Sequence, residues 1–157
     1  MALPKIDLPV YNVYLDTQNR DVKFRPFIVK EEKILLMALE SGDINEIMNA
    51  IKTVITGCLI DDVDIETLPL FEIEKLFLHL RARSMGEIVN VTYICQNDVD
   101  DKKCKFEMDV EIDLLKSVTE HKVVSDVVKL NDDVGLKLKY PNLGVTKLLN
   151  SKGDDLD

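Results

Sequence analysis

"LPLFEIEKLFLHLRARSMGEIVNVTYIC" (68–95) contains the change of period on which the fold turns. Up to Met85 the apolar residues recur at helical spacing, with Leu70, Ile73, Phe77 and Leu80 forming one inward stripe. Pro69 suits a first helical turn and Gly86 an end. Arg81 and Arg83 fall in the last turns, where cations complement the helix dipole. From Glu87 onward the period becomes two, which is the period of a strand. Helical sequence that gives way to strand sequence in this manner predicts an α+β domain.

Downstream, "CKFEMDVEIDLL" (104–115) sets Cys104, Phe106, Met108, Val110, Ile112 and Leu114 against alternating charged residues. That is the pattern of a one-sided antiparallel strand. "QNDVDDKK" between Cys95 and Cys104 reads as the hairpin turn that joins it to "EIVNVTYIC". A second β-prone pair, "HKVVSDVVKL" and "VGLKLKY", surrounds "NDD". Upstream, "YNVYL" and "VKFRPF" flank the polar turn "DTQNRD" and predict an N-terminal hairpin, with Pro26 ending its second strand or confining it to an edge.

Two more helices lie between. "VKEEKILLMALES" (29–41) ends before Gly42, and its run of Ile34, Leu35, Leu36, Met37, Ala38 and Leu39 leaves only a narrow polar face. Such a helix is central in a core or covered by a partner. The next (43–60) starts with Asp43 as cap and Glu46 completing a capping-box pattern. The expected architecture is therefore an N-terminal β-hairpin, three central α-helices (29–41, 43–60 and 68–85) and a C-terminal antiparallel β-sheet. Residues 12–141 form one α+β domain, with an extended arm at 1–11 and an acidic, flexible tail at 142–157. The expected core is Ile47, Ile51, Val54, Ile55, Ile73, Phe77 and Leu80, with Cys58 buried on the same stripe as a small hydrophobe.

Composition narrows the function. The 157 residues carry a formal net charge of −9, which disfavours nucleic acid as a partner because its phosphates are repelled. No apolar run approaches the ~18 residues that span a bilayer. The N-terminal residues lack the basic and apolar blocks of a signal peptide, so the chain is expected to be made and kept in a cytoplasm. The acidic stretches "DDVD", "DVDD", "NDDV" and "GDDLD" read as solvated loops, since none has the ligand spacing of a calcium loop.

Chemistry is sparse. Three cysteines (Cys58, Cys95, Cys104) do not make a disulfide framework. A structural zinc site wants four closely spaced ligands, and Cys95 and Cys104 have eight residues between them with only His79 and His121 elsewhere. A Cys95–Cys104 disulfide is possible across a hairpin, but a reducing cytoplasm keeps it open. His79 has no second ligand or carboxylate at helical spacing and reads as structural. No phosphate loop, nucleophile elbow or interpretable Cys/His or Ser/His pair is present, so no catalytic, cofactor or metal residue is assigned. Surplus apolar residues are the stronger signal. Leu35, Leu36, Leu76 and Leu78 exceed what one inward stripe requires, and together with Arg81 and Arg83 they are the candidate partner-binding residues.

The ordered pattern Phe24-Arg25-Pro26-Phe27, then "KEEKILLMA", then "LPLFEIEKLFLHLRARSMGE" with Arg81, Arg83 and Ser84 before Gly86, resembles the T4-type bacteriophage baseplate hub protein family. The resemblance covers about residues 12–141. It departs from the family after "LKYP", where the sequence here is short and acidic. The resemblance implies a non-enzymatic, hetero-oligomeric virion component of the contractile tail. It would contact other baseplate and hub proteins, and be present in the host cytoplasm during assembly. A transient assembly chaperone absent from the mature virion is the alternative. A small metal-dependent regulatory module is a third reading, requiring a partner to complete a metal site at Cys95 and Cys104.

Overall fold

The computed structural model describes residues 7–99, 102–118, 126–131 and 134–145. Strands β1 (Tyr11–Leu15) and β2 (Arg20–Phe24) form the N-terminal hairpin. Helices α1 (Val29–Ser41), α2 (Ile44–Cys58) and α3 (Leu70–Met85) follow, with a short 3-10 turn at Ile65–Thr67. Strand β3 (Ile88–Ile94) pairs antiparallel with β6 (Glu107–Asp113), and β4 (Asp98–Val99) with β5 (Lys102–Lys103). A single turn of helix, α4 (Leu114–Ser117), precedes a last antiparallel pair, β7 (Val127–Lys129) and β8 (Gly135–Lys137). The mixed α+β architecture is as expected. The strands form separate two-stranded ribbons rather than one sheet. His121 and residues 146–157 of the expected tail lie outside the described residues.

The helix ends follow local chemistry. Gly42 closes α1 in the left-handed conformation (φ 69°), which costs a glycine little. The Asp43 side chain accepts the Asn45 N–H at 2.7 Å and caps α2. The Asp43 N–H donates to Ser41 Oγ (3.3 Å), which takes the place of a return bond from Glu46. Asp64 and Asp113 cap the 3-10 turn and α4 in the same way, and Asp61 accepts the Lys23 N–H at 2.7 Å. Part of the acidic loop sequence thus satisfies backbone donors.

The core is built by the hairpin lying on α2 and α3. Val13, Leu15, Val22 and Phe24 are buried with Val54, Ile55, Cys58, Ile73, Leu76 and Leu80. Residues 58–60 run along the free edge of β2. The Arg25 N–H donates to Cys58 O and the Ile60 N–H to Lys23 O, both at 2.9 Å, so that edge is closed. The turn of the hairpin is anchored to α3. Glu72, fully buried, accepts the Thr17 N–H (2.7 Å) and the Thr17 hydroxyl (2.5 Å), while Lys75 pairs with Asp16 at 2.9 Å. Leu143 is also buried, and Asn142 bridges to Pro69, so the chain is still tied to the domain beyond position 141.

The inward face of α3 is rotated relative to the expected stripe. Leu76 is in the core and Phe77 is only partly covered. Ile47 and Ile51 are likewise partly exposed, whereas Val54, Ile55, Ile73 and Leu80 are buried as expected. No helix among the described residues is long and apolar enough to cross a membrane.

Candidate docking site

The motif "FRPF" is an internal clamp. Phe24 and Phe27 are buried, and Arg25 between them joins three elements. Its guanidinium donates to Gly57 O at the end of α2 (2.8 Å), to Pro26 O (3.0 Å) and to Glu31 Oε1 (2.9 Å). Glu31 in turn accepts the Ile28 N–H at 3.0 Å, one of the orphan donors at the start of α1. Burial alone would raise the Glu31 carboxyl, but the Arg25 and Ile28 hydrogen bonds outweigh it and hold it below its ordinary value. The Phe27 N–H donates to Ser84 Oγ at 2.9 Å, which ties the start of α1 to the last turn of α3.

That clamp holds α1, α2 and α3 around an open groove of about 370 Å³. Glu32, Leu35, Leu36 and Leu39 line it from α1, at positions i, i+3, i+4 and i+7. Ile47, Ala50 and Ile51 contribute from α2, Phe77, Arg81 and Met85 from α3, and Phe27 completes the wall. The lining is almost wholly carbon. The apolar surface continues past the groove along α1, where the lining residues Leu36 and Leu39 and the neighbouring Met37 are each more than half exposed. Only Ala38 and Glu31 of this helix are buried, so α1 is a lid on one side of the core and not its centre.

Of the residues expected to bind a partner, Leu35, Leu36 and Arg81 are brought together at this groove. Leu76 is corrected by the fold: it is fully buried and packs within the core, so it presents nothing to a partner. Leu78 is half-buried and does not line the groove. The two arginines diverge, as a spacing of two on a helix requires. Arg83 pairs with Glu87 and lies over the Tyr11 ring at 4.9 Å. Arg81 makes only a long 3.5 Å hydrogen bond to Gly86 O, and no ion pair of its own is present among the described residues. Ile47, Ile51 and Phe77, expected in the core, line the groove instead, and Leu39 and Met85 join them; all carry apolar periodicity and nothing more specific.

The titratable groups elsewhere have structural explanations. Burial pushes the Cys58 thiol up to about 11, beside Arg25 and Glu31. Burial also holds the His79 imidazole below its ordinary value, with the positive charges of Lys75 and Arg83 adding to the effect. Its ring meets Phe24 edge-on with centroids 6.5 Å apart. Among the described residues no three His, Cys, Asp or Glu side chains converge as metal ligands.

The opening stretch of the hairpin is resolved by its register. Cys95 lies opposite Phe106, and the Cys104 N–H donates to Asn97 O at 2.8 Å. The two cysteines thus lie at different levels of the hairpin, on either side of Lys105, whose left-handed backbone (φ 50°) interrupts the pairing. Both are free in the structure. In native protein Cys104 is expected to react with a thiol reagent at once, and Cys58 only on unfolding. A time course with and without denaturant checks this. The double change Cys95→Ser and Cys104→Ser should leave the melting temperature unchanged and remove no bound zinc.

The three helices of this small α+β scaffold thus hold a carbon-lined groove with one guanidinium, that of Arg81, at its rim. The chain belongs to the T4 bacteriophage base plate protein family, whose model matches residues 8–156. It is therefore a phage baseplate protein, a component of the tail that associates with other tail proteins. No curated protein and no solved structure matches it.

Proposed function

We propose that this chain is a non-enzymatic component of the baseplate hub of a contractile tail. It docks on neighbouring hub or wedge proteins through the α1–α2–α3 groove. The observation that carries this reading is the groove itself, open, apolar and continuous with exposed leucines on α1. Exposed apolar surface of this kind marks an interface. Arg81 supplies orientation, because an arginine binds a carboxylate through two parallel hydrogen bonds. Arg83 contributes less, since it is already paired with Glu87. The chain is made in the host cytoplasm and ends in the virion tail.

Arg81→Glu and Leu36→Asp are both changes at accessible positions and should spare the fold. Each is expected to block incorporation into baseplates, and Arg83→Glu to reduce it less. Wild-type incorporation of Arg81→Glu and Leu36→Asp together would place the interface elsewhere. The same open groove also suits a chaperone that covers another protein and then leaves. Mass spectrometry of intact tails separates the two, because only a hub subunit remains in them.

A further inference from the structure

The strand β3, "IVNVTYI", has no charge, no glycine and no proline. Its only strand partner among the described residues is β6. The phase of that ladder is set at its two ends. The Cys95 N–H donates to Phe106 O and the Leu114 N–H to Glu87 O, both at 2.8 Å, in register with the β3–β6 pairs. Bonded and non-bonded pairs alternate along an antiparallel ladder. Val89, Val91 and Tyr93 therefore aim their backbone groups at β6, while Ile88, Asn90, Thr92 and Ile94 aim theirs at the open side. All four of the latter are exposed. Among the described residues no backbone group takes up this edge, and the one contact on it is the long Gln96 side-chain bond to Ile94 O (3.4 Å), so a long, uncharged edge is left as a template for another strand.

The other edge of the ribbon is different. Its outward backbone groups belong to Glu107, Asp109, Glu111 and Asp113. A second β6 laid there antiparallel would set carboxylates opposite carboxylates, which is destabilising.

β3 is complementary to itself. An antiparallel copy centred on Val91 sets Ile88 opposite Ile94, Val89 opposite Tyr93 and Asn90 opposite Thr92. Apolar meets apolar, amide meets hydroxyl, and no charge meets another. We propose that two copies of this chain pair through β3, forming a four-stranded antiparallel sheet in the order β6, β3, β3 of the second copy, β6 of the second copy. The contact is isologous, as a two-fold dimer requires.

Three features favour a second copy as the occupant. The apolar side of each ribbon, Val89, Val91 and Tyr93 facing Ile112, Val110 and Met108, becomes one continuous face. A two-stranded ribbon is marginal alone, whereas four strands with an apolar face are not. The acidic β6 strands end outermost, three strand spacings or about 14 Å apart, beyond the screening length of ~8 Å at physiological salt. The −9 charge of each chain is thus not concentrated at the joint. This surface is distinct from the groove, and the inference does not depend on it.

The test uses the full chain. Light scattering is expected to give twice the 17.9 kDa mass of one chain. In a Cys95→Ser, Cys104→Ser background, Val91→Cys should form a disulfide-linked dimer on mild oxidation. At the centre of the joint Val91 is a non-bonded pair, with Cα atoms ~4.5 Å apart, within disulfide reach. Thr92→Pro removes one outward N–H and no backbone bond to β6, and loses only the exposed hydroxyl contact to Asp109 (2.7 Å), so it should give a monomer with an unchanged circular dichroism spectrum. If Thr92→Pro fails to fold, Asn90→Lys with Thr92→Lys sets lysine opposite lysine across the joint and should give the monomer instead. A wild-type monomer at all concentrations with no Val91→Cys cross-link overturns the proposal. So does a dimer that survives the edge substitutions. A monomer whose Thr92→Pro variant fails to enter baseplates would assign the edge to a strand of another baseplate protein, and also overturns it.

Discussion

Phe24→Ala is expected to cost about 3–5 kcal/mol and to lower the melting temperature by roughly 6–20 °C for a domain of this size. The side chain is fully buried where the N-terminal hairpin meets the helices. Its ring packs against Tyr11 (centroids 5.9 Å apart) and His79, and its backbone bridges to Leu59. Truncation leaves a cavity lined by three elements, none of which can close in without moving the others. Phe77→Ala is the informative comparison. Phe77 is only partly covered and lines the open groove, so removing it widens a space that solvent already reaches. The expected loss is about 1–2 kcal/mol from the lost burial alone. Thermal unfolding of the two variants side by side decides the matter. Equal losses would mean that Phe77 is core and that the groove is not open in solution.

Arg25→Met should cost about 2–3 kcal/mol near pH 7. The value is lower than for a fully buried pair because about a quarter of the arginine is exposed. Without Arg25, the Glu31 carboxylate stays buried beside Cys58 with only backbone N–H groups, chiefly that of Ile28, to satisfy it, and Gly57 O loses its donor. The pH dependence follows from the sign of the Glu31 shift. In the wild type its carboxyl is held below the ordinary 4.5, so its stabilising contribution is present above that pH. The contribution is lost as pH falls through the lower folded value. In Arg25→Met the remaining burial favours the neutral acid, so the penalty seen at pH 7 should shrink below pH 4.5. Urea titrations of both proteins at pH 7 and pH 4 measure this. A penalty that grows in acid would show that Arg25 does not act through Glu31.

Much of the fold was legible in the residues themselves. The helix-to-strand change at Gly86, the stop at Gly42, the cap at Asp43 and the turns between alternating runs are local features. They act over one to four residues, a range that a sequence displays directly. The resemblance motif was legible as a pattern but not as a mechanism. Nothing in "FRPF" announces that Arg25 reaches Gly57 and Glu31, or that Ser84, 57 residues on, receives the Phe27 N–H.

The sequence by itself determined the N-terminal hairpin, the three long helices, the alternating strands after Gly86 and the order in which they follow one another. Tertiary structure alone decided which side of α1 and of α3 is inward, whereas the stripe of α2 through Val54, Ile55 and Cys58 was legible in its spacing. α1 and α3 carry apolar residues nearly all the way round, so periodicity names several candidate faces and does not rank them. The ranking came from the N-terminal hairpin. Thr17 offered two donors that Glu72 could accept while fully buried, and this turned α3 so that Leu76 went into the core and Phe77 and Arg81 to the groove. A helix with apolar residues on all sides is oriented by its neighbours, because burial on either side releases similar free energy and the fixed polar contacts break the tie.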